Sequence, residues 1–380
     1  MLHSRLRPLP RRGRSVQKSN NNDSTTQAPD FTGITEDENK EEDEEEEDAE
    51  DIFAAFLPHL LPDDAPQFHG DPGQLLRYDS PLYGPLTIMV PHYPGQSNDR
   101  NEEIASGLKK EENANNRRDN GIGAVNKVDE GRKLFAHFLW SAAMVVAQGV
   151  EDADALEKSG SKSTDKTMWS VKGHRVLELG AGAGLPSIIS ALAFASHVTI
   201  TDHPSSPAFL GAIEHNIIEN VPASLRPNID SAPHEWGVLE DDQFAQKNKG
   251  AFTRIIAADC LWMLHQHSNL AKTLLWFLSD GKGSDDGQEE GRVWVVAGFH
   301  TGRAIVAHFF ETAVAMGLEI ESIYERDLNA GETEEAKQEQ GEVRRAWEPV
   351  RVGEGPENRK RCMVVDVRIS FDLTWNYPSD

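Results

Sequence analysis

Val176-Leu177-Glu178-Leu179-Gly180-Ala181-Gly182-Ala183-Gly184-Leu185-Pro186 reads as a buried strand running into a glycine-rich turn and then a helix. Val176 to Leu179 has the apolar composition of a strand. Gly180 and Gly182 let the backbone bend tightly against a ligand, and Pro186 suits the first turn of the helix that follows. The next apolar run, His197 to Thr201, ends in Asp202, which puts a carboxylate at the carboxyl edge of the sheet beside that turn. Its two oxygens can accept both hydroxyl hydrogens of a ribose. Taken singly, a glycine turn is an ordinary tight connection and Asp202 an ordinary helix cap. Their juxtaposition points to a nucleotide-like ligand. The dinucleotide fingerprint G-x-G-x-x-G is not met, because Leu185 stands where its last glycine belongs.

Outward from this turn, strand-like segments recur at 174–179, 197–201, 252–258, 292–298, 318–324 and 362–371. Helical segments fall at 131–149, 186–195, 206–219, 263–279 and 302–316. Several of the strands are nearly continuous apolar runs, as expected where helices cover both faces of a parallel sheet. The alternation predicts an α/β fold with a doubly wound sheet. The last two strands are separated mainly by charged residues, and they are expected to pair as an antiparallel hairpin at the sheet edge.

The chain has 380 residues, of which 38% are hydrophobic and 27% charged, with a formal net charge of −25. The first 22 residues carry Arg5, Arg7, Arg11, Arg12, Arg14 and Lys18 and no acid, whereas 36–51 are nearly all Asp and Glu. Like charges this dense resist compaction, so 1–51 reads as a disordered, basic-then-acidic tail. Residues 52–130 read as an irregular extension, folded from Ile52 to Val90 and strand-like in composition at Leu86-Thr87-Ile88-Met89-Val90, with a polar insertion at 96–129. Residues 131–380 form the main domain, with polar insertions at 151–167, 280–291 and 327–360. The negative charge argues against nucleic acid as a partner, and no apolar run reaches the ~20 residues of a membrane span. Cys260 and Cys362 are too far apart to suggest a disulfide framework or a metal cluster. His265, His267 and His300 lack a ligand pattern and read as surface or pocket-rim histidines, so no metal is expected. A cytoplasmic protein is the expectation. The basic start also has the composition of a mitochondrial presequence or a nuclear signal, although Pro8 and Pro10 disfavour a presequence helix.

The turn from Glu178 to Gly184, with Asp202 after it, resembles the S-adenosylmethionine site of seven-stranded methyltransferases. Phe138-Leu139-Trp140-Ser141-Ala142-Ala143, Leu179-Gly180-Ala181-Gly182, His234-Glu235-Trp236-Gly237 and Ala257-Ala258-Asp259-Cys260-Leu261-Trp262 follow the order of methyltransferase family 16. His265 to Leu270, and Gly298-Phe299-His300 through Phe309-Phe310, resemble its fungal nicotinamide N-methyltransferase-like branch, which includes elongation factor 1-alpha methyltransferases. The similarity spans about 131–326 plus the last strand. It implies a Rossmann-like seven-stranded sheet with an antiparallel last strand, and S-adenosylmethionine as cofactor. By the same resemblance, Trp140 packs near the methionine end, the Glu178 turn with Gly180, Ala181 and Gly182 holds the cofactor's backbone, Asp202 binds ribose, Trp236 flanks adenine and Ala258 lines the pocket. Asp259 and Trp262 then face the acceptor. The branch often carries Asp-Leu-Leu-Phe-Asn where this chain has Asp259-Cys260-Leu261-Trp262-Met263, so the acceptor pocket is expected to differ.

Methyl transfer from a sulfonium is an in-line displacement that needs an aligned, unprotonated amine. A lysine with a pKa of about 10.4 is almost fully protonated at neutral pH, so the site must favour the neutral amine by desolvation or take its proton. Asp259 is the candidate to orient the acceptor, with Trp262 and Phe299 as aromatic faces for an ammonium. Three readings follow. The first is transfer to a lysine or N-terminal amine of a protein, such as a basic region of a translation elongation factor. The second is transfer to a small molecule of the nicotinamide type, and the third a non-catalytic cofactor-binding interaction module, against which the intact glycine turn and Asp202 argue.

Overall fold

The computed structural model describes residues 2–9, 68–92, 137–160, 168–281, 291–328, 344–353, 362–365 and 368–371. In chain order the strands are β1 (Leu6–Pro8), β2 (Phe68–His69), β3 (Leu75–Ser80), β4 (Gly84–Met89), β5 (Leu139–Trp140), β6 (Arg175–Leu179), β7 (His197–Asp202) and β8 (Ile229–Pro233). They continue as β9 (Arg254–Ala258), β10 (Arg292–Val296), β11 (Leu318–Ser322), β12 (Tyr324–Asp327), β13 (Arg344–Ala346), β14 (Cys362–Val365) and β15 (Arg368–Phe371). The α-helices are α1 (Ser141–Ser159), α2 (Leu185–Leu192), α3 (Ala212–Asn220), α4 (Gln243–Lys247), α5 (His267–Phe277) and α6 (Arg303–Ala315).

The central sheet has seven strands in the order β11-β15-β10-β9-β6-β7-β8. Strands β10, β9, β6, β7 and β8 run parallel, and β15 runs antiparallel to both β10 and β11. This is the doubly wound sheet with an antiparallel last strand that the sequence predicts. Alternation along the strands explains their continuous apolar composition. Val176, Ile256, Trp294 and Val296 point into the core shared with α1 and α2. Leu177, Leu179, Ile255, Ala257, Val293 and Val295 point into the core on the other face, under α5 and α6. A sheet buried on both faces has no polar side to mark a period of two. The strand order reverses between β6 and β9, and the carboxyl ends of strands beside such a reversal form the crevice in which open α/β sheets bind ligands.

Several expectations need correction. The last two strand segments do pair antiparallel, yet β15 inserts between β10 and β11 and leaves β11 at the edge. The segment 362–371 is divided as well, because β14 pairs with β12 in a separate small sheet. Strand β8 was not anticipated. It lies at the opposite edge with only Ile229 buried, so it lacks the apolar run of its neighbours.

The supposed insertion at 151–167 is helical as far as Ser159, where Gly160 closes α1 in the left-handed region at φ 68°. Its acids were the misleading feature, since Glu151 and Asp154 are buried. Glu151 Oε2 accepts from Arg5 Nη1 at 2.7 Å and Tyr78 Oη at 3.0 Å, and Asp154 Oδ2 accepts from Tyr83 Oη at 2.5 Å and Lys158 Nζ at 2.7 Å. Arg5 belongs to the stretch read as disordered, but within it β1 pairs with β3 and Leu2 is buried. The extension read as irregular contains the β3–β4 hairpin. That hairpin is tied to α3 by two amides: Asn216 exchanges hydrogen bonds with the Met89 backbone at 2.6 and 2.9 Å, and Asn220 with the Thr87 backbone at 2.8 Å.

Within the supposed insertion at 327–360, β13 pairs with β12. Burial raises the Glu325 pKa, but hydrogen bonds from Arg303 and Arg345, at 2.5 and 2.6 Å, hold its carboxyl below the usual range. Residues 10–67, 93–136 and most of 280–291 lie outside the described residues, and with them most of the 1–51 tail and the 96–129 insertion. Among the described residues, no helix is long and apolar enough to cross a membrane.

Candidate active site

An open cleft enclosing about 950 Å³, part of it open solvent, lies at the carboxyl ends of β6, β7, β8 and β9. It is lined by Trp140, Glu178, Gly180, Ala181, Gly182, Asp202, Trp236, Ala258, Asp259 and Trp262, ten of the residues singled out from the sequence. Phe138, His203, His234, Met263 and Gln266 join them.

The glycine turn is built by hydrogen bonds between neighbouring strand ends. Ala181 N–H donates to Thr201 O at 3.0 Å, Thr201 Oγ1 donates to Glu178 O at 2.7 Å, and Gly182 N–H donates to Asp202 Oδ2 at 2.8 Å. Gly180 has φ +61°, and a Cβ there would sit 3.0 Å from Cys260 Sγ and 3.2 Å from Trp236 Cζ2. Backbone, β9 end and indole therefore meet closely, and the left-handed φ together with the tight Cβ position favours glycine there. Asp202 Oδ1 accepts from His203 N–H at 2.7 Å. A carboxylate oxygen takes more than one hydrogen bond, so both oxygens keep acceptor capacity for a diol.

Glu178 is buried beneath the turn, and its Oε2 accepts from Ser187 N–H at 3.0 Å and from the Ser187 hydroxyl. It thus caps α2 from the preceding strand. Desolvation pushes its pKa up to about 8, against the opposing Ser187 hydrogen bonds. The folded protein consequently holds one more proton at Glu178 than the unfolded chain between pH 4.5 and about 8, so this carboxyl's contribution to stability is lost as pH rises through that window. The loss is on the order of 5 kcal/mol at 1.36 kcal/mol per unit. The expected result is a melting temperature that falls from pH 5 to pH 8.5 in the native protein, and a flatter profile in Glu178→Gln. Parallel profiles would sink the assignment.

Asp259 follows β9 with φ +59°, in the left-handed region that Asp tolerates better than most residues. Its side chain is buried, with Oδ1 accepting from Gly298 N–H at 3.3 Å and Oδ2 lacking any hydrogen-bond partner. Burial raises its pKa, with the nearby His300 acting in the opposite sense. Phe299, by contrast, does not line the cleft. It is buried, stacked on Trp347 with ring centroids 5.8 Å apart, and carries the Arg303 guanidinium on its ring at 4.3 Å, so its face is already used. His265 is exposed, but His267 is a core residue whose Nε2 donates to Leu261 O at 2.9 Å.

The sequence reading missed two roles. His234 is buried with Nδ1 held 2.8 Å from Asp242 Oδ2. That partner makes Nδ1 the donor and leaves Nε2, buried and without a partner, as an acceptor on a residue that lines the cleft. His300, read as a rim histidine, stacks on Trp140 with centroids 4.8 Å apart at 28°.

Comparison with known proteins fits this geometry. A family model described as lysine methyltransferase matches residues 125–283. "Protein N-terminal and lysine N-methyltransferase efm7" of Schizosaccharomyces pombe is 31% identical over 199 residues, covering 50% of this chain and 68% of that protein. The Gibberella zeae protein of the same name is 30% identical over 51% of this chain and 70% of its own. The chain belongs to the family 16 methyltransferases. Among solved structures, geranyl diphosphate methyltransferase in complex with S-adenosylmethionine covers 67% of this chain and 93% of its own, at 12% identity and a TM-score of 0.36.

This methyltransferase is an S-adenosylmethionine-dependent N-methyltransferase, and the cleft fits its cofactor. The left-handed Gly180 lets the turn pack closely on Trp236 and Cys260 of the cleft wall, the Asp202 carboxylate suits a ribose diol, and His234, which lines the cleft, has an Nε2 without a partner that could accept from the amino group of a purine. When bound, the cofactor supplies an electrophilic methyl group on a sulfonium. The protein's part is to hold an amine in line with that methyl group, exclude water and take up a proton.

Proposed function

We propose that this enzyme methylates protein amines, lysine ε-amines or N-terminal α-amines, with a basic region of translation elongation factor 1-alpha as its acceptor. The observation that carries the protein amine is the buried Asp259 Oδ2, an acceptor atom without a partner in a cleft flanked by Trp140 and Trp262. A carboxylate oxygen orients an amine hydrogen, and aromatic walls favour a cation-forming group. Relatives named for N-terminal and lysine methylation support the same class of acceptor. A formal charge of −25 favours encounter with a basic protein. The elongation factor is the narrower part of the proposal, and it rests on the resemblance of the His265–Leu270 and Gly298–Phe310 segments.

Labelled methyl transfer from S-adenosylmethionine into extract of a strain lacking this gene tests the reading, with Asp202→Ala and heat-killed enzyme as controls. The expected result is one labelled protein band of elongation-factor size that vanishes with Asp202→Ala. Label confined to the small-molecule fraction would replace the reading with a nicotinamide-type activity, and cofactor binding without label would replace it with a non-catalytic module. A cytoplasmic location belongs to the same proposal. A fluorescent fusion with and without residues 1–22 tests it.

A further inference from the structure

The His300 side chain is half-buried behind Trp140 and Asp259, with both ring nitrogens shielded from solvent and neither in a hydrogen bond. One ring face lies on Trp140, and Nδ1 stands 3.6 Å from Asp259 Oδ1. An unsatisfied imidazole costs free energy in the resting protein, so its retention between a cleft carboxylate and a cleft tryptophan calls for a role. The neighbouring cation, Arg303, is turned away and engaged by Glu325 at 2.5 Å and by Glu348 O at 3.0 Å. The charged group facing the imidazole is therefore Asp259.

We infer that Asp259 and His300 form a couple that holds the proton shed by the acceptor amine, with His300 as a positioning residue acting through the carboxylate. The inference rests on the reading above that the acceptor arrives as an ammonium. The ammonium gives a proton to Asp259 Oδ2, and His300 Nδ1, beside Oδ1, is the second seat for that proton. The amine lone pair then forms the new nitrogen–carbon bond as the carbon–sulfur bond breaks, and sulfur leaves with its electron pair as a neutral thioether. One positive charge stays on the methylated ammonium and one proton stays on the couple. Imidazolium beside carboxylate is a paired charge, far less costly in a buried wall than either ion alone, and the Trp140 face adds cation–π support.

The test uses the full chain and the labelled-extract assay with two variants. His300→Phe keeps a ring against Trp140 and removes both nitrogens, whereas His300→Asn keeps a polar group near Asp259 and removes the ring. The expected result is that His300→Phe lowers turnover at pH 7.5 by about a hundredfold, the lower end of the range for a lost proton-transfer partner, with cofactor Kd within twofold of native. At pH 9.5 that deficit should shrink by about tenfold, because about a hundred times more of a lysine is already unprotonated there. His300→Asn should lie between the two. Turnover of His300→Phe within threefold of native, a deficit independent of pH, or a cofactor Kd raised as much as turnover falls would each overturn the inference. Absence of label with the native enzyme would instead overturn the function reading, on which this one stands.

Discussion

Gly180→Val should abolish cofactor binding while leaving the protein folded. Three observations converge on that residue: its φ of +61°, a Cβ position 3.0 Å from Cys260 Sγ, and 3.2 Å from Trp236 Cζ2. A β-branched residue pays well over 1 kcal/mol to hold the left-handed region. Two methyl groups beyond the Cβ must then displace the indole or the β9 end, and both belong to the cleft wall. Relief by moving the turn breaks the Ala181–Thr201 and Gly182–Asp202 hydrogen bonds, which set the carboxylate. Every route out of the clash thus deforms the ligand side, whereas the cores on the two sheet faces lie beneath the turn. Calorimetric titration with S-adenosylmethionine should show at least a hundredfold weaker binding, with a far-ultraviolet spectrum like that of the native protein. Native-like affinity would mean that the turn does not contact the cofactor.

The readable part of this site is its local part. Glu178, Gly180, Gly182 and Asp202 lie within 25 residues of one another, and a parallel strand pair joined by a short helix must bring its carboxyl ends side by side. Strand β8 was illegible because an edge strand with four of its five residues unburied carries no apolar signature. The second half of α1 was illegible for the opposite reason. Its acids, Glu151 and Asp154, imitate a solvated loop, and the partners that bury them, Arg5, Tyr78 and Tyr83, come from some 70 to 146 positions away. His300 and Phe299 show the same limit at the level of one turn. Adjacent in sequence, they face opposite ways, the histidine to Trp140 and the phenylalanine to Trp347. No periodicity assigns those directions, since both residues lie in the loop beyond the end of β10.

Asp259→Asn should lower turnover by about a hundredfold to ten-thousandfold, the range for a lost general base, with cofactor Kd within threefold of native. Asparagine is the informative replacement. It tolerates the left-handed backbone that Asp259 adopts at φ +59°, as alanine does not, and its amide oxygen can still accept from Gly298 N–H. The substitution therefore removes the charge and leaves the fold of the β9 end in place. Were Asp259 needed only to accept a hydrogen bond from the amine, the amide would retain much of the activity. Were it needed to take the proton, the amide could not substitute at all. The pH profile separates these outcomes further. Burial raises the Asp259 pKa above the ordinary carboxylate value, so the native rate should rise with pH as this carboxyl ionises. In Asp259→Asn that acidic limb should disappear, and the residual rate should climb only at alkaline pH as the acceptor amine deprotonates itself. A variant within fivefold of native with the acidic limb intact would reduce Asp259 to a wall residue. It would also overturn the Asp259–His300 couple as the route of proton removal, because His300 acts there through the Asp259 carboxylate.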